Sequence, residues 1–222
     1  MYKRLLKSFI QKDFFKGKAL IITGARQTGK TSLANEITKK YKMAGGLASF
    51  NCDNPLEREM LSNKDIEFLE SLVGDSKVIF IDEGQKVDTI GQTLKLMVDR
   101  YKKTKQIIVT GSSSVNLLDK TQEVLTGRKY TYQLFPLSFE EIVITKGAKS
   151  AYKEIDDLLV FGGYPEVRSK RSHKEKIRTL IELASSYLYK DIFEFQKVKN
   201  SNVIVKLVKA LALQIGSEVS FN

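Results

Sequence analysis

An α/β fold built on a parallel sheet is predicted by two features of the chain. Three apolar runs, 19–22, 78–81 and 107–109, each lead into a polar residue: Thr23, Asp82 and Thr110. Between the runs, apolar residues recur at helical spacing. Continuous runs rich in β-branched residues suit strands covered on both faces, and strands alternating with helices build a doubly wound sheet. In such sheets ligands gather at the carboxyl ends of the strands, where the three polar residues fall.

The elements follow in order. Lys3, Arg4 and Lys7 are interleaved with Leu5, Leu6, Phe9 and Ile10, which predicts an amphipathic helix; a secretory signal needs an unbroken apolar stretch. After the first strand, Leu33, Ile37 and Tyr41 mark one face of a helix. A weaker strand is expected over 47–51. One or two helices are expected over 55–73, with Leu61, Phe68, Leu69 and Leu72 inward. Ile90, Leu94, Met97, Val98 and Tyr101 define a further helix from about Thr89, and 129–134 makes a fifth strand. The doubly wound part covers about residues 15–135, so with its N-terminal helix the α/β domain is 1–135.

Beyond Pro136 the strand-like runs stop. Ser138 is placed to cap a helix over 139–145, with Glu141 at the capping-box position. Gly162-Gly163-Tyr164-Pro165 reads as a tight break. A long helix is expected over 173–190, with Ile177, Leu180, Ile181, Ala184, Tyr187 and Leu188 inward. Ile204, Leu207, Val208, Leu211 and Ile215 form a last apolar face, stopped by Gly216. Residues 136–222 are therefore expected to be mainly helical.

Composition narrows the function classes. A chain of 222 residues, 42% hydrophobic and 28% charged, has the balance of a soluble globular protein, and no run approaches the roughly 20 apolar residues that span a bilayer. Cys52 is the single cysteine, which excludes an intrachain disulfide and a Cys-rich metal site; cytoplasmic residence is expected. Lys and Arg number 37 against 26 Asp and Glu, a net charge of +11. That balance favours acidic partners, nucleic acid among them, and equally fits a basic background with scattered lysines.

The chemistry is concentrated at the strand ends. Gly24-Ala25-Arg26-Gln27-Thr28-Gly29-Lys30-Thr31 fills every position of the phosphate-binding pattern G-x-x-x-x-G-K-[ST], between a strand and a helix. Its glycines let backbone N–H groups close around phosphate oxygens, and the helix N-terminus adds partial positive charge. Lys30 is expected to reach the β- and γ-phosphates and the Thr31 hydroxyl to ligate Mg²⁺, with Ser32 extending the contact set. The implied ligand is a nucleoside triphosphate. Asp82 ends the second apolar run and is suited to hold Mg²⁺ opposite Thr31. Glu83, next in line, can activate a water against the γ-phosphate, which favours hydrolysis over transfer to a metabolite.

The third run ends in Thr110-Gly111-Ser112-Ser113-Ser114. Thr110 or Ser112 can bond the attacking water or a γ-oxygen; the serines equally suit a cap for the helical pattern from Val115. Arg128 is a candidate for stabilising transition-state charge in cis or from a neighbouring subunit, with Arg26, Arg58, Arg100 and Arg168 as competitors. His173 stands among charges and Cys52 reads as a packed residue, so neither is taken as catalytic. Asn63-Lys64-Asp65 is followed by Ile66 and misses the guanine-reading pattern. Arg168, Lys170, Arg171, Lys174, Lys176 and Arg178 form a basic run in which Arg171, Lys174 and Arg178 can share one helix face, with two readings, a solvated helix face or a contact for nucleic-acid phosphates.

In this order, Gly24 to Thr31, Phe-Ile-Asp-Glu-Gly-Gln-Lys at 80–86, Val109 to Ser113, Leu-Thr-Gly-Arg at 125–128, Leu-Phe-Pro-Leu-Ser-Phe-Glu-Glu at 134–141 and Gly-Gly-Tyr-Pro-Glu at 162–166 resemble the predicted ATPases of the AAA+ superfamily found widely in bacteria and archaea. Those proteins carry an uncharacterised C-terminal region. The resemblance spans nearly the whole chain. It implies a five-stranded sheet in the order 5-1-4-3-2, with Thr110 and Ser112 between Lys30 and Asp82, and Arg128 at the family's Gly-Arg position. Relatives continue into a helix-turn-helix-like module where this sequence reaches Ser217 to Asn222, so the C-terminal region is expected to be incomplete. The combined expectation is an ATP- and Mg²⁺-dependent P-loop ATPase, possible as a homo-oligomer, coupling nucleotide state to a partner. Its rivals are a slowly hydrolysing, nucleotide-gated regulatory protein and a DNA-associated ATPase.

Overall fold

The structure is a computed structural model that describes residues 2–111, 121, 123–185, 201–214 and 217. It divides into two compact units, Met1–Arg171 and Ser172–Asn222.

The first unit is organised by a five-stranded sheet of β1 (Ala19–Thr23), β2 (Leu47–Asn51), β3 (Val78–Asp82), β4 (Gln106–Gly111) and β5 (Lys129–Gln133). Every pairing is parallel, in the spatial order β2-β3-β4-β1-β5 that the resemblance implied. The central strands β1 and β4 are buried along their whole length, and the edge strands β2 and β5 are mostly half-buried or exposed. This is why the central runs lack polar alternation: both pleat faces are covered.

Successive residues of β1 serve opposite cores. Ala19 and Ile21 join Ile79, Ile81, Ile107 and Val109 in one cluster. Helices α3 (Pro55–Leu61), α4 (Ile66–Val73) and α5 (Ile90–Tyr101) complete that cluster through Leu61, Leu69, Val73, Leu94 and Met97. Leu20 and Ile22 join Phe80 and Ile108 on the other face, closed by Ile10 of α1 (Leu6–Lys12) and Leu33 and Ile37 of α2 (Lys30–Met43). The segment 55–73 is two helices because Ser62 leaves helical geometry and Asp65 starts anew, its side chain accepting from the Phe68 amide at 2.8 Å. Phe68, expected inward, is exposed, and Leu69 and Val73 carry the burial of α4.

After β5 come α6 (Phe139–Lys146), α7 (Ala148–Lys153), α8 (Ile155–Phe161) and α9 (Pro165–Ser169). Ser138 and Glu141 form the expected capping box on α6. The compact units do not part after residue 135, where the change of pattern placed a boundary; α6 to α9 belong to the first unit. The cause is local. Leu137 packs with Ile142, Ala151 and Tyr2, and its amide donates to the Gly163 carbonyl at 2.7 Å. A Cβ on Gly163 would stand 2.3 Å from the Leu137 oxygen, so this approach requires glycine.

In the second unit, α10 (His173–Leu183) and α11 (Ser201–Leu213) are described. Ser172 caps α10 through a second capping box with Glu175. The expected inward stripe of α10 is corrected: Ile177 and Ile181 are 50% and 62% exposed, whereas Lys176, Thr179 and Leu183 are buried. Tyr187, Leu188, Ile215 and Gly216 lie outside the described residues.

Candidate nucleotide site

The carboxyl ends of β1, β3 and β4 are neighbours, and the loops leaving them converge. Residues 24–29 link β1 to α2, which begins at Lys30. Gly24 has φ 147°, and a Cβ there would meet the Leu134 carbonyl oxygen at 2.2 Å. The loop therefore passes against the strand end closely enough to exclude any side chain. Gly29 has φ 95° and forms the N-cap of α2 in a left-handed conformation. The loop is braced by Thr28, whose hydroxyl donates to the Ala25 carbonyl at 2.9 Å. The ammonium of buried Lys30 donates to the carbonyls of Gly24 (3.0 Å) and Ala25 (2.8 Å).

Asp82 lies across β4 from the loop and is tied to the first turn of α2 and to the end of β4. The Thr31 hydroxyl is 3.0 Å from each of its carboxylate oxygens, and the Thr110 hydroxyl donates to Oδ1. Thr110 also accepts from the Glu83 amide at 3.3 Å. Thr31, Asp82, Thr110 and Glu83 thus form one connected group. Glu83 has a left-handed backbone (φ 54°, ψ 42°), an uncommon conformation for a residue with a side chain. A Cβ on Gly84 would meet Val109 Cγ1 at 2.5 Å, so the turn after β3 is pressed against β4. The Gln85 side-chain amide donates to Glu83 Oε2. A hydroxyl and a carboxylate facing one another are hard oxygen donors suited to Mg²⁺ shared with phosphate. Among the described residues, no group of three or more His, Cys, Asp or Glu forms a protein-only metal cage.

A pocket of about 450 Å³ opens beside the loop, lined by Tyr2, Thr28, Gly29, Leu33, Leu137 and Pro165 among others. Arg4 also lines it and bonds the loop itself, donating to the Thr28 carbonyl at 3.2 Å. In the sequence Arg4 is one charge on an amphipathic helix, and no catalytic motif marks Gln85. No local pattern marks Arg4, because its partners Phe135 and Glu141 are more than 130 residues away.

Two expectations are corrected by position. Arg128 is at the amino end of β5, where its carbonyl accepts from Ala19 at the start of β1 (2.9 Å) and its guanidinium pairs with Asp99 at 2.6 Å. The loop leaves the other end of β1, about 16 Å away at ~3.3 Å per residue. Arg128 is therefore too far to serve its own chain's loop in cis. The basic run is not one cationic face. The Arg168 side chain is 2% exposed and paired with Glu154 and Asp157. Lys170 pairs with Glu166 at 3.4 Å and Arg178 with Glu182 at 3.0 Å. Arg171 precedes the Ser172 cap and is not on the helix with Lys174 and Arg178. Ser112 lies outside the described residues. Cys52 is buried, and burial together with the Asp82 charge pushes its thiol up to about 12, which leaves it neutral and unreactive.

A glycine loop running from a central parallel strand into a helix, with an acidic strand end two strands away, defines a P-loop nucleotide-binding domain. The chain belongs to the AAA domain family, whose model matches residues 16–143. Residues 152–222 match a domain of unknown function, DUF8612. Uncharacterized proteins are similar along the chain. One from Methanocaldococcus jannaschii is 26% identical over 234 residues, 98% of this chain and 51% of its own length. One from Haemophilus influenzae is 28% identical over 233 residues, 99% and 56% of the two chains. One from Mycobacterium tuberculosis is 25% identical over 183 residues, 82% and 38%. The chain thus spans between 38% and 56% of the length of these relatives. Among solved structures, a Signal Transduction ATPase with Numerous Domains from Pyrococcus horikoshii superposes with a TM-score of 0.52 at 13% identity, over 82% of this chain and 32% of that one. That likeness concerns the fold. This is an AAA+ P-loop ATPase domain followed by a region of unknown function.

Proposed function

We propose that the chain binds ATP with Mg²⁺ and hydrolyses it to ADP and phosphate. The observation that carries this reading is the hydrogen-bonded group Thr31–Asp82–Thr110, formed by the first turn of α2 and the ends of β3 and β4, with Glu83 next along the chain. The N–H groups around Gly29, Lys30 and Thr31 and the Lys30 ammonium hold the β- and γ-phosphates. Ser32 and the apolar pocket beside the loop receive the nucleoside, between Leu33, Leu137 and Pro165. Thr31 and Asp82 are the residues that would hold Mg²⁺, which when bound would neutralise phosphate charge.

Glu83 accepts a proton from water as the water oxygen bonds to the γ-phosphorus and the bond to the β,γ-bridging oxygen breaks. Thr110, bonded to Asp82 and to the Glu83 amide, relates the two acids to each other. The test is steady-state phosphate release beside ATP binding. Lys30→Ala is expected to lose most ATP affinity with the fold intact. Glu83→Gln is expected to bind ATP and stall, because an amide accepts no proton, and turnover at the parent rate in that variant overturns the assignment. Asp82→Asn is expected to weaken the dependence on magnesium.

The second reading, a slowly turning over, nucleotide-gated regulator, is favoured by one contact: the Gln85 amide occupies a Glu83 carboxylate oxygen. A Gln85→Ala variant that hydrolyses faster than its parent supports it. DNA association rests on the net charge of +11 and on the exposed Arg171, Lys174 and Arg178, since Arg168 is withdrawn into a buried ion-paired group.

A further inference from the structure

We propose that Arg4 is a positioning residue for the phosphate loop, acting through the peptide between Thr28 and Gly29. The Arg4 and Glu141 side chains are each 7% exposed and meet at 3.1 Å. The two terminal nitrogens of the same guanidinium donate to the Thr28 carbonyl, at 3.2 Å, and to the Phe135 carbonyl. One cation therefore joins the loop, the connection after β5 and the first turn of α6. Its anchor is fixed independently: Glu141 accepts from the amides of Leu5 (3.0 Å) and Ser138 (3.2 Å), and its own amide donates to the Ser138 hydroxyl (3.1 Å).

The consequence for the loop follows from peptide geometry. In a trans peptide the C=O of one residue and the N–H of the next point in opposite directions. Holding the Thr28 carbonyl toward Arg4 directs the Gly29 N–H away from it, alongside the first amides of α2 that carry no intrahelical partner. Gly29, with no side chain and φ 95°, gives this peptide little intrinsic preference, so an external brace is needed to set it. A planar guanidinium can donate to two separate carbonyls while its third nitrogen stands beside a carboxylate, whereas a lysine ammonium on a similar stem cannot reach all three groups.

This inference rests on the triphosphate reading above, and two measurements separate their failures. The first uses no nucleotide. In protein labelled with ¹⁵N-glycine, the Gly29 amide resonance is expected to shift in Arg4→Lys, with those of Gly45 and Gly147 in place. The second is calorimetric titration of the full chain with magnesium and either ATP or inorganic tripolyphosphate, on variants shown by circular dichroism to be folded. Arg4→Lys and Glu141→Gln are each expected to weaken both ligands about 10- to 100-fold, the value of one hydrogen bond to a charged group.

Glu141→Gln is the decisive variant. Glutamine retains the capping box and removes a negative charge near the loop. If Arg4 served the ligand merely as a positive charge, this change would leave affinity unchanged or raise it, and either result overturns the proposal. So does an Arg4→Lys protein with parental affinity and an unshifted Gly29 amide. A parent that binds neither ligand overturns the triphosphate reading, and the proposed role with it.

Discussion

Gly24, Gly84 and Glu83 show how tightly single residues shape the site. At Gly84 a methyl group would stand 2.5 Å from a γ-methyl of fully buried Val109. Gly84→Ala is expected to destabilise the protein by about 1–3 kcal/mol, the usual range for overpacking, and also to displace Glu83. Thermal unfolding measures the first effect and phosphate release the second; unchanged values for both would show that the turn tolerates a side chain. Cys52 gives a prediction of the opposite kind. Its thiol is raised, so at pH 8 it stays protonated as well as buried, and a thiol reagent is expected to modify it only after unfolding. Rapid labelling of the native protein at pH 8 contradicts this. The motif residues were legible because the pattern names them directly, whereas the left-handed backbone of Glu83 and the Gln85 contact depend on how the turn meets β4.

Among the elements, the sheet strands were the most readable and the α10 face the least. Buried parallel strands announce themselves as unbroken apolar runs, and all five strands stand where those runs and the two weaker segments put them. A helical stripe is less informative, because apolar side chains at helical spacing do not say which side is covered; Ile177 and Ile181 are exposed. Arg168 makes the same point for charge. In the sequence it is one cation in a basic run, yet in the fold it ties α9 to α8 and the residue preceding it. Arg168→Ala is expected to cost about 1–3 kcal/mol, below the value for a fully buried pair because both carboxylates are partly exposed.

The stabilisation should be pH-dependent. Burial raises the Glu154 carboxyl, but hydrogen bonds and charge from Lys146 and Arg168 outweigh it and hold the group below the ordinary glutamate range. A depressed carboxyl contributes stability that is present above the ordinary range and lost as pH falls through the lower folded value. The difference in unfolding temperature between parent and Arg168→Ala is therefore expected to be full at pH 7 and to narrow toward pH 3. A pH-independent difference would mean that the side chain acts by packing alone.

For the whole molecule, the placement of Arg128 decides between cis and trans. With its guanidinium at the amino end of the sheet, only the loop of another subunit is open to it. If AAA+-type assembly puts it there, Arg128→Ala is expected to lower hydrolysis by about 10³-fold or more with little change in ATP affinity. Mixing it with Lys30→Ala should restore some turnover. Loss without restoration, in a preparation whose solution mass shows assembly with nucleotide, removes the trans role; an unchanged rate makes Arg128 a surface residue paired with Asp99. No helix among the described residues is long and apolar enough to cross a membrane.

The sequence by itself determined the α/β class, the five strands and the phosphate loop with its two acids, because these depend on local spacing: continuous apolar runs, helical periodicity and a fixed motif between strand and helix. The family resemblance supplied the strand order. What only the tertiary structure decided were matters of distance between residues remote in the chain. Residues 136–171 belong to the first unit, joined to the chain before β1 through Tyr2 beside Leu137 and through Arg4 beside Glu141; Arg128 stands a strand's length from the loop; and Arg4, more than 130 residues from Glu141, contacts the loop. Burial and partner choice for a charged side chain arise from the approach of separate elements, and no local pattern encodes that approach.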